Sequence, residues 1–493
     1  MHLLPKKIPW FTIAITSIFI LSLTLRFWGL GRFNTLVFDE VYYAKYAVNY
    51  LNGREVFDAH PPLGKYLIAL GIWLYQLFSQ FFPIASQNAN DLTGQVLPAV
   101  SYRWMNALVG SCIPLVVSGI AYQLSDRRSY AIIAGFLMAI EGIFLVESRY
   151  ALINIYLVFF GLLAQWLVLQ STQLSSPKKE LFLLGSGICF GASVSVKWNG
   201  LGFWLGVVGI YSIVRSIKLI TSNLSLGNHF KSIESENPNI NLSLFPRFAN
   251  LKLSQILLNW VCVPTVIYWL VWIPHLQFNP TETFRSLHQQ ILSYHQTGVG
   301  TGSDVHPYCS RWYTWPLMLR SISYFYERST HSEPNSIIPP LPRYLSEGIY
   351  DVHLLGNPIL WWLSSAAILI FVCQFIEKIL ESISSKYGSL NLTKDDFIIV
   401  YLMMNYAANF LPWIFVRRCT FLYLYMSALV FAILALAWII DRWWNSDRPQ
   451  SKIFTISTIS IVFLALIFWL PIYLGLPLSP AQFQIRMLLP SWV

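Results

Sequence analysis

Charge is what this chain has least of. Only 11% of its 493 residues are Asp, Glu, Lys or Arg, against 55% hydrophobic residues and a mean hydropathy of +0.52. A soluble domain carries about 25% charged residues, so a soluble core is excluded and a polytopic membrane protein is the remaining class. Cysteine is also sparse. The six cysteines, at 112, 189, 262, 309, 373 and 419, form no CxxC pair, and all but Cys309 lie in or beside apolar segments. Neither a disulfide framework nor a metal site is expected from them. Five histidines lie in the stretch 277–355, and His288 and His295 are spaced to share a helix face. Without an HExxH motif or a tight His/Cys cluster, no divalent metal is called for. No internal repeat is evident, which weighs against a transporter or flippase, the other class that fits many spans, because transporters tend to show repeated halves around a midplane site. The N-terminal "MHLLPKKIPWFTIAITSIFILSLTLRFWGLG" starts basic like a signal peptide, but its apolar stretch is too long and ends in Arg26 and aromatics rather than small residues. It reads as a retained first span.

Apolar runs are what the chain has in abundance. Eleven are long enough to cross a bilayer, at about 9–30, 104–124, 130–147, 154–172, 181–197, 200–220, 256–275, 356–377, 396–416, 421–440 and 453–475. A twelfth run at 63–82 decides the topology. If it spans, the Lys/Arg bias of the loops is inverted almost throughout; if it lies in the interface, "LLPKK", "DRRS", "SSPKKE", 218–252, 377–396 and 441–452 all share the cytoplasmic side. The interfacial placement wins, helped by a weak polar stripe at Lys65, Gln76, Ser79 and Gln80. The net charge of +10 then reflects membrane orientation rather than nucleic-acid binding. This topology gives an N-terminal module (1–220) with a first external loop (31–103), a cytoplasmic linker (221–255) and a C-terminal region (256–493) with an external loop at 277–355, helical in "TETFRSLHQQILSYH". The N-terminus is cytoplasmic and the C-terminus external.

The unusual polar residues then gather on the external side. In "FDEVYYAKYA", Asp39 and Glu40 open a short helix; Asp39 is either an N-cap or a general base for an acceptor hydroxyl. In "HPPLGK", His60 and Lys65 flank two prolines and a glycine, and Lys65 either snorkels to headgroups or meets a phosphate. Glu141, Glu147 and Arg149 lie in or at the rim of apolar sequence, where ionisable groups mark function or pair with one another. Lys197, Arg417 and Arg418 are cations on the side that should have few, which an anionic lipid headgroup would explain. Trp312 and Trp315 read as interfacial anchors or sugar platforms.

Together "FDEVYYAKYA", "HPPLGK", "SRYALIN", "SVKWNG", "HPYCSRWYTWPLMLR" and "LPWIFVRRCTFLYLY" occur in an order and spacing that resemble the dolichyl- or polyprenyl-phosphate-mannose-dependent protein O-mannosyltransferases, in their compact bacterial form. The likeness runs from the first span to about residue 440. It implies an all-α polytopic membrane protein of the GT-C glycosyltransferase fold. Such an enzyme moves a mannosyl residue, with inversion, from a polyprenyl phosphate donor to Ser/Thr hydroxyls of exported proteins at the outer membrane face. The resemblance places Asp39 at the catalytic acid position with Glu40 beside it, and His60, Lys65, Glu141 and Arg149 at motif positions. Asn154 stands where relatives commonly have Asp, and Trp312-Tyr313 where Pro-Trp is usual. Asp39 is expected to deprotonate the acceptor while Lys65, Arg149 and Arg418 stabilise the departing phosphate, with no cofactor required. His60, Glu141, Asn154 and Trp315 are expected on the substrate side, and Lys197 and Arg417 near the donor phosphate. A related GT-C enzyme with a lipid or glycan acceptor, as in aminoarabinose transfer to lipid A, is the neighbouring alternative. With no room for a MIR module in 277–355 and no ER-retention tail, a bacterial plasma (inner) membrane is expected.

Overall fold

A computed structural model describes residues 9–81, 89–223, 244–298, 300, 305–332, 337–384 and 393–493. Most of the expected linker, at 224–243, lies outside the described residues. Ten helices among them are long and apolar enough to cross a membrane. They are α1 (Trp10–Phe27), α4 (Ala99–Ser125), α7 (Asn154–Ser171), α8 (Lys178–Val196), α9 (Leu201–Asn223), α10 (Leu253–Phe278), α12 (Pro358–Ser384), α13 (Lys394–Phe410), α14 (Met426–Trp444) and α15 (Pro449–Leu474). Between α1 and α4 lie α2 (Glu40–Leu51), α3 (Leu63–Phe81) and a two-stranded ribbon, β1 (Ala89–Leu92) with β2 (Gln95–Pro98).

The expected span 130–147 is broken in two, α5 (Arg128–Ala139) and α6 (Gly142–Glu147). Its cause is Glu141, whose backbone is extended and whose carboxylate accepts from Phe144 N, capping α6, and from Asn357 N, both at 3.1 Å. A capping carboxylate favours starting a new helix over continuing the old one. Between α10 and α12, α11 (Phe284–Ser293) matches the helix expected in the external loop, and the antiparallel hairpin of β3 (Ile322–Thr330) and β4 (Glu347–Leu354) follows it.

Helix α14 sits at the centre: 89% of its span is buried, against 17% for α1 at the rim. Its run "MSALVFAILALAWII" is apolar on all sides, as a helix surrounded by others must be. Arg127 pairs with Asp441 and Lys394 with Asp126, each at 2.7 Å, and Arg442 pairs with Asp395. These bridges bring the loops at 126–128, 393–395 and 441–442 together at one end of the bundle. The first loop, the 147–154 turn, the α8–α9 junction and the β3–β4 hairpin pack at the other.

Close approach at that second end depends on Gly64. A Cβ there would fall 2.7 Å from Ile153 Cγ2, so only glycine lets the start of α3 seat on the 150–153 turn. Helix α3 then turns Lys65, Ile68 and Ile72 inward and leaves Leu70, Trp73 and Phe78 exposed. Lys65 is therefore not part of an outward polar stripe; its side chain is 1% exposed.

Candidate active site

Asp39 is the pivot. The residue before it, Phe38, has φ +52°, a left-handed conformation that costs a bulky L-residue about 1–2 kcal/mol. The Phe38 ring stacks on Tyr324 of β3 at 4.0 Å, which helps hold it there. Asp39 is itself already helical, at φ −68° and ψ −1°, so its side chain makes no capping bond, contrary to the N-cap reading. Among the described residues its carboxylate has no hydrogen-bond or ion-pair partner. Burial raises its pKa from 3.8 to about 6, with nearby Lys197 opposing and Asp58 reinforcing the rise. A carboxyl so placed is charged at neutral pH yet basic enough to accept a proton.

Glu40 points the other way. It is fully buried and forms a two-pronged pair with Arg103 of α4, at 2.8 Å to Nε and 2.7 Å to Nη2. Its oxygens also accept from Val37 N and Ala151 N, each at 2.8 Å. Arg103 in turn donates to the carbonyls of Leu30, Phe33 and Thr35. With both oxygens taken, Glu40 has no lone pair facing a substrate. It locks the first loop onto α4 and the 147–154 turn, and by doing so it aims its neighbour Asp39.

Beside Asp39 lies a chain of contacts. Tyr324 OH donates to Glu147 Oε1 at 2.5 Å, Asn154 Nδ2 donates to Glu147 Oε2 at 3.3 Å, and Lys197 Nζ donates to Asn154 Oδ1 at 3.3 Å. The Lys197 ammonium also lies over the Tyr423 ring at 5.0 Å. An amide at position 154 can donate to a carboxylate and accept from an ammonium at once, which an aspartate cannot. Lys197 is thereby left with no carboxylate partner among the described residues. It opens onto a cavity of about 410 Å³, which His60, His295, Trp413, Phe415, Arg417 and Arg418 also line. His60 stacks on His295 at 5.5 Å, and burial beside Lys197 and Lys65 holds it well below the usual histidine range, so it is neutral.

Other sequence expectations fare differently. Lys65 is taken by Asp58, at 2.5 Å, and by the His60 carbonyl at 2.8 Å, so it braces the "DAHPP" turn instead of reaching a phosphate. Arg149 is 2% exposed and donates to the carbonyls of Leu25, Arg26, Trp28 and Gly29. It closes the C-terminal end of α1, where unpaired carbonyls attract a cation, and is not free for an anionic ligand. The alternative reading of Glu141 as an ion-pair partner of Arg149 is not realised among the described residues, since Glu141 caps α6. Trp315 is fully buried, with Nε1 on Ser310 Oγ, and offers no platform to a sugar. Cys309 and Cys419 are joined in a disulfide, contrary to expectation; a separation of 110 positions hides the pairing in the sequence. His288 bonds Tyr268 OH and the Phe284 carbonyl, which settles it as a packing residue of α11. Sequence reasoning missed Tyr324, Tyr423 and Arg103. Only Arg103, a charge inside an otherwise apolar helix, carried a readable signal.

The whole architecture has a solved counterpart. A Saccharomyces cerevisiae protein O-mannosyltransferase, in the Pmt1–Pmt2 complex bound to the sugar donor, superposes with a TM-score of 0.76 at 16% identity, over 99% of this chain and 93% of that one. The chain is thus a membrane protein of the GT-C fold. Two family models cover it nearly end to end: dolichyl-phosphate-mannose-protein mannosyltransferase over residues 16–277, and the C-terminal four-transmembrane region of protein-O-mannosyltransferase over 280–492. The chain belongs to the dolichyl-phosphate-mannose-protein mannosyltransferase family, and it is an enzyme. The polyprenol-phosphate-mannose–protein mannosyltransferase of Corynebacterium glutamicum is 23% identical over 560 residues, 99% of this chain and 95% of that one. Mouse protein O-mannosyl-transferase 1 is 32% identical over 211 residues, 41% of this chain and 27% of its own length.

Proposed function

We propose that this enzyme transfers a mannosyl residue from a polyprenyl phosphate to Ser or Thr hydroxyls of exported polypeptides, at the outer face of a bacterial inner membrane. The observation that carries the reading is an unpaired, base-competent Asp39 beside a cavity lined by Lys197, Arg417 and Arg418. Asp39 takes the hydroxyl proton as the acceptor oxygen attacks C1 of the sugar. The C1–O bond to phosphate breaks on the opposite side, and its electron pair leaves on the carrier phosphate. That geometry inverts the anomeric centre. Phosphate leaves readily at neutral pH, so no general acid is needed, and the three cations hold the phosphate in the bound donor and the departing carrier alike, without a divalent metal or other cofactor.

Orientation follows the charge of the two ends. The end carrying Arg127, Arg128, Arg442 and Arg448 is assigned to the cytoplasm, which sets the active site outside. Eleven crossings among the described residues, counting α5 with α6 as one, favour an N-terminus inside and a C-terminus outside.

The purified chain is given polyprenyl-phosphate mannose labelled in the sugar, together with a Ser/Thr-rich peptide and membrane lipids. Label entering the peptide in an alkali-labile O-linkage supports the reading. Label entering lipid alone would replace it with the lipid-acceptor alternative.

A further inference from the structure

The link between α13 and α14 carries two of the cavity's cations and has little regular structure. Leu411–Phe415 and Leu422–Tyr425 are short 3₁₀ turns, and residues 416–421 between them are irregular. Such a segment stays in one conformation only if something outside it does the holding. Here the partner is the stretch around Cys309 in the external loop. Cys309 and Cys419 are joined in a disulfide, Ser310 N donates to Thr420 O at 2.8 Å, and Thr420 Oγ1 donates to Ser310 O at 2.5 Å. Ser310 is in turn held by the buried Trp315, whose Nε1 donates to its hydroxyl at 2.8 Å. The linker is therefore fastened to the core.

Arg418 is the residue next to the bridge. It lines the cavity, and its Nη1 donates to the Cys419 carbonyl at 3.0 Å. Among the described residues no carboxylate holds it. With its neighbour's carbonyl as its hydrogen-bond partner among the described residues, this guanidinium goes where that neighbour goes.

We infer that the Cys309–Cys419 disulfide is a positioning element for donor recognition: it keeps the Arg418 guanidinium in the cavity, facing the phosphate of the lipid-linked sugar. This rests on reading the cavity as the phosphate site. It assigns the bridge to donor binding rather than to the chemical step, and it makes the enzyme's donor affinity depend on an oxidising compartment.

The test is a set of steady-state comparisons on the full chain with polyprenyl-phosphate mannose as the varied substrate. Replacing both cysteines (C309A/C419A) should raise the donor KM about tenfold, the loss of one charge-assisted contact, with kcat at saturating donor within about twofold. R418A should do the same. Adding C309A/C419A to R418A should raise KM no further, because the bridge acts through that arginine. An unchanged KM in C309A/C419A, or a second tenfold rise in the R418A background, would overturn the inference. If the alanine variant cannot be purified, wild-type protein opened with dithiothreitol, which becomes its ring disulfide as the two thiols form, gives the same comparison. Wild-type protein that shows no transfer at all would instead count against the proposed function.

Discussion

Replacing Glu40 with Gln removes one oxygen and installs an NH2 group where every neighbour is a donor. One Glu40 oxygen receives Arg103 Nε and Ala151 N, the other Arg103 Nη2 and Val37 N, all between 2.7 and 2.8 Å. Whichever way the amide turns, its hydrogens meet two donors, and a guanidinium with 0% exposure loses its counter-charge. Breaking such a buried pair costs about 3–5 kcal/mol, and each stranded buried N–H adds about 1–3. Gln keeps one acceptor, so its cost should fall near the lower figure of about 3 kcal/mol. The assay is thermal unfolding of detergent-purified protein, run beside transfer activity at a temperature where the variant is folded. The midpoint should fall clearly, and Glu40→Gln with Arg103→Met should lose less than the two singles added together. The account of Glu40 as an aiming residue fails if Glu40→Gln unfolds like the wild type yet loses transfer by orders of magnitude. That outcome would return it to the chemistry.

Other outcomes follow from the same geometry. Transfer should fall about tenfold per pH unit below about 6, because Asp39 must be unprotonated to act. Its raised pKa also means that the folded chain binds this proton more tightly than the unfolded chain does. The charged form therefore costs stability above pH about 6 and none below about 4, and Asp39→Asn should gain about 1–3 kcal/mol at pH 7.5 in the same unfolding assay. Arg149→Lys gives up a planar fork over four carbonyls and should lower the unfolding midpoint while leaving the donor KM of folded protein unchanged. Lys197→Ala should raise the donor KM about tenfold or more in initial-rate measurements, since among the described residues its ammonium meets the neutral Asn154 amide and the Tyr423 ring but no carboxylate.

Much of the fold was legible because a membrane span is a local property. Twenty consecutive apolar residues announce themselves, and ten of the eleven expected spans are single long helices. The exception, at Glu141, was legible as an embedded charge but not as a helix break, since its second partner, Asn357 N, lies 216 residues away. The neighbourhood of the site was legible in the same limited way. "FDE", "HPPLGK", "SRYALIN", "VKWNG" and "VRR" stand out as polar islands, and the structure gathers them at one end. What each island does there depends on partners distant in sequence. Arg103 lies 63 residues from Glu40, Tyr324 lies 177 from Glu147, and Cys309 lies 110 from Cys419. Lys65 shows the difficulty from the other side: its partner Asp58 is only seven residues away, but nothing in the pattern says whether the lysine turns inward to it or outward to a headgroup.

The most direct measurement is made on Asp39→Asn, with donor binding and sugar transfer determined on the same preparation. The account predicts that polyprenyl-phosphate mannose binds within about threefold of wild type while transfer to peptide drops by about 10²–10⁴. Transfer at the wild-type rate by the folded variant would contradict it.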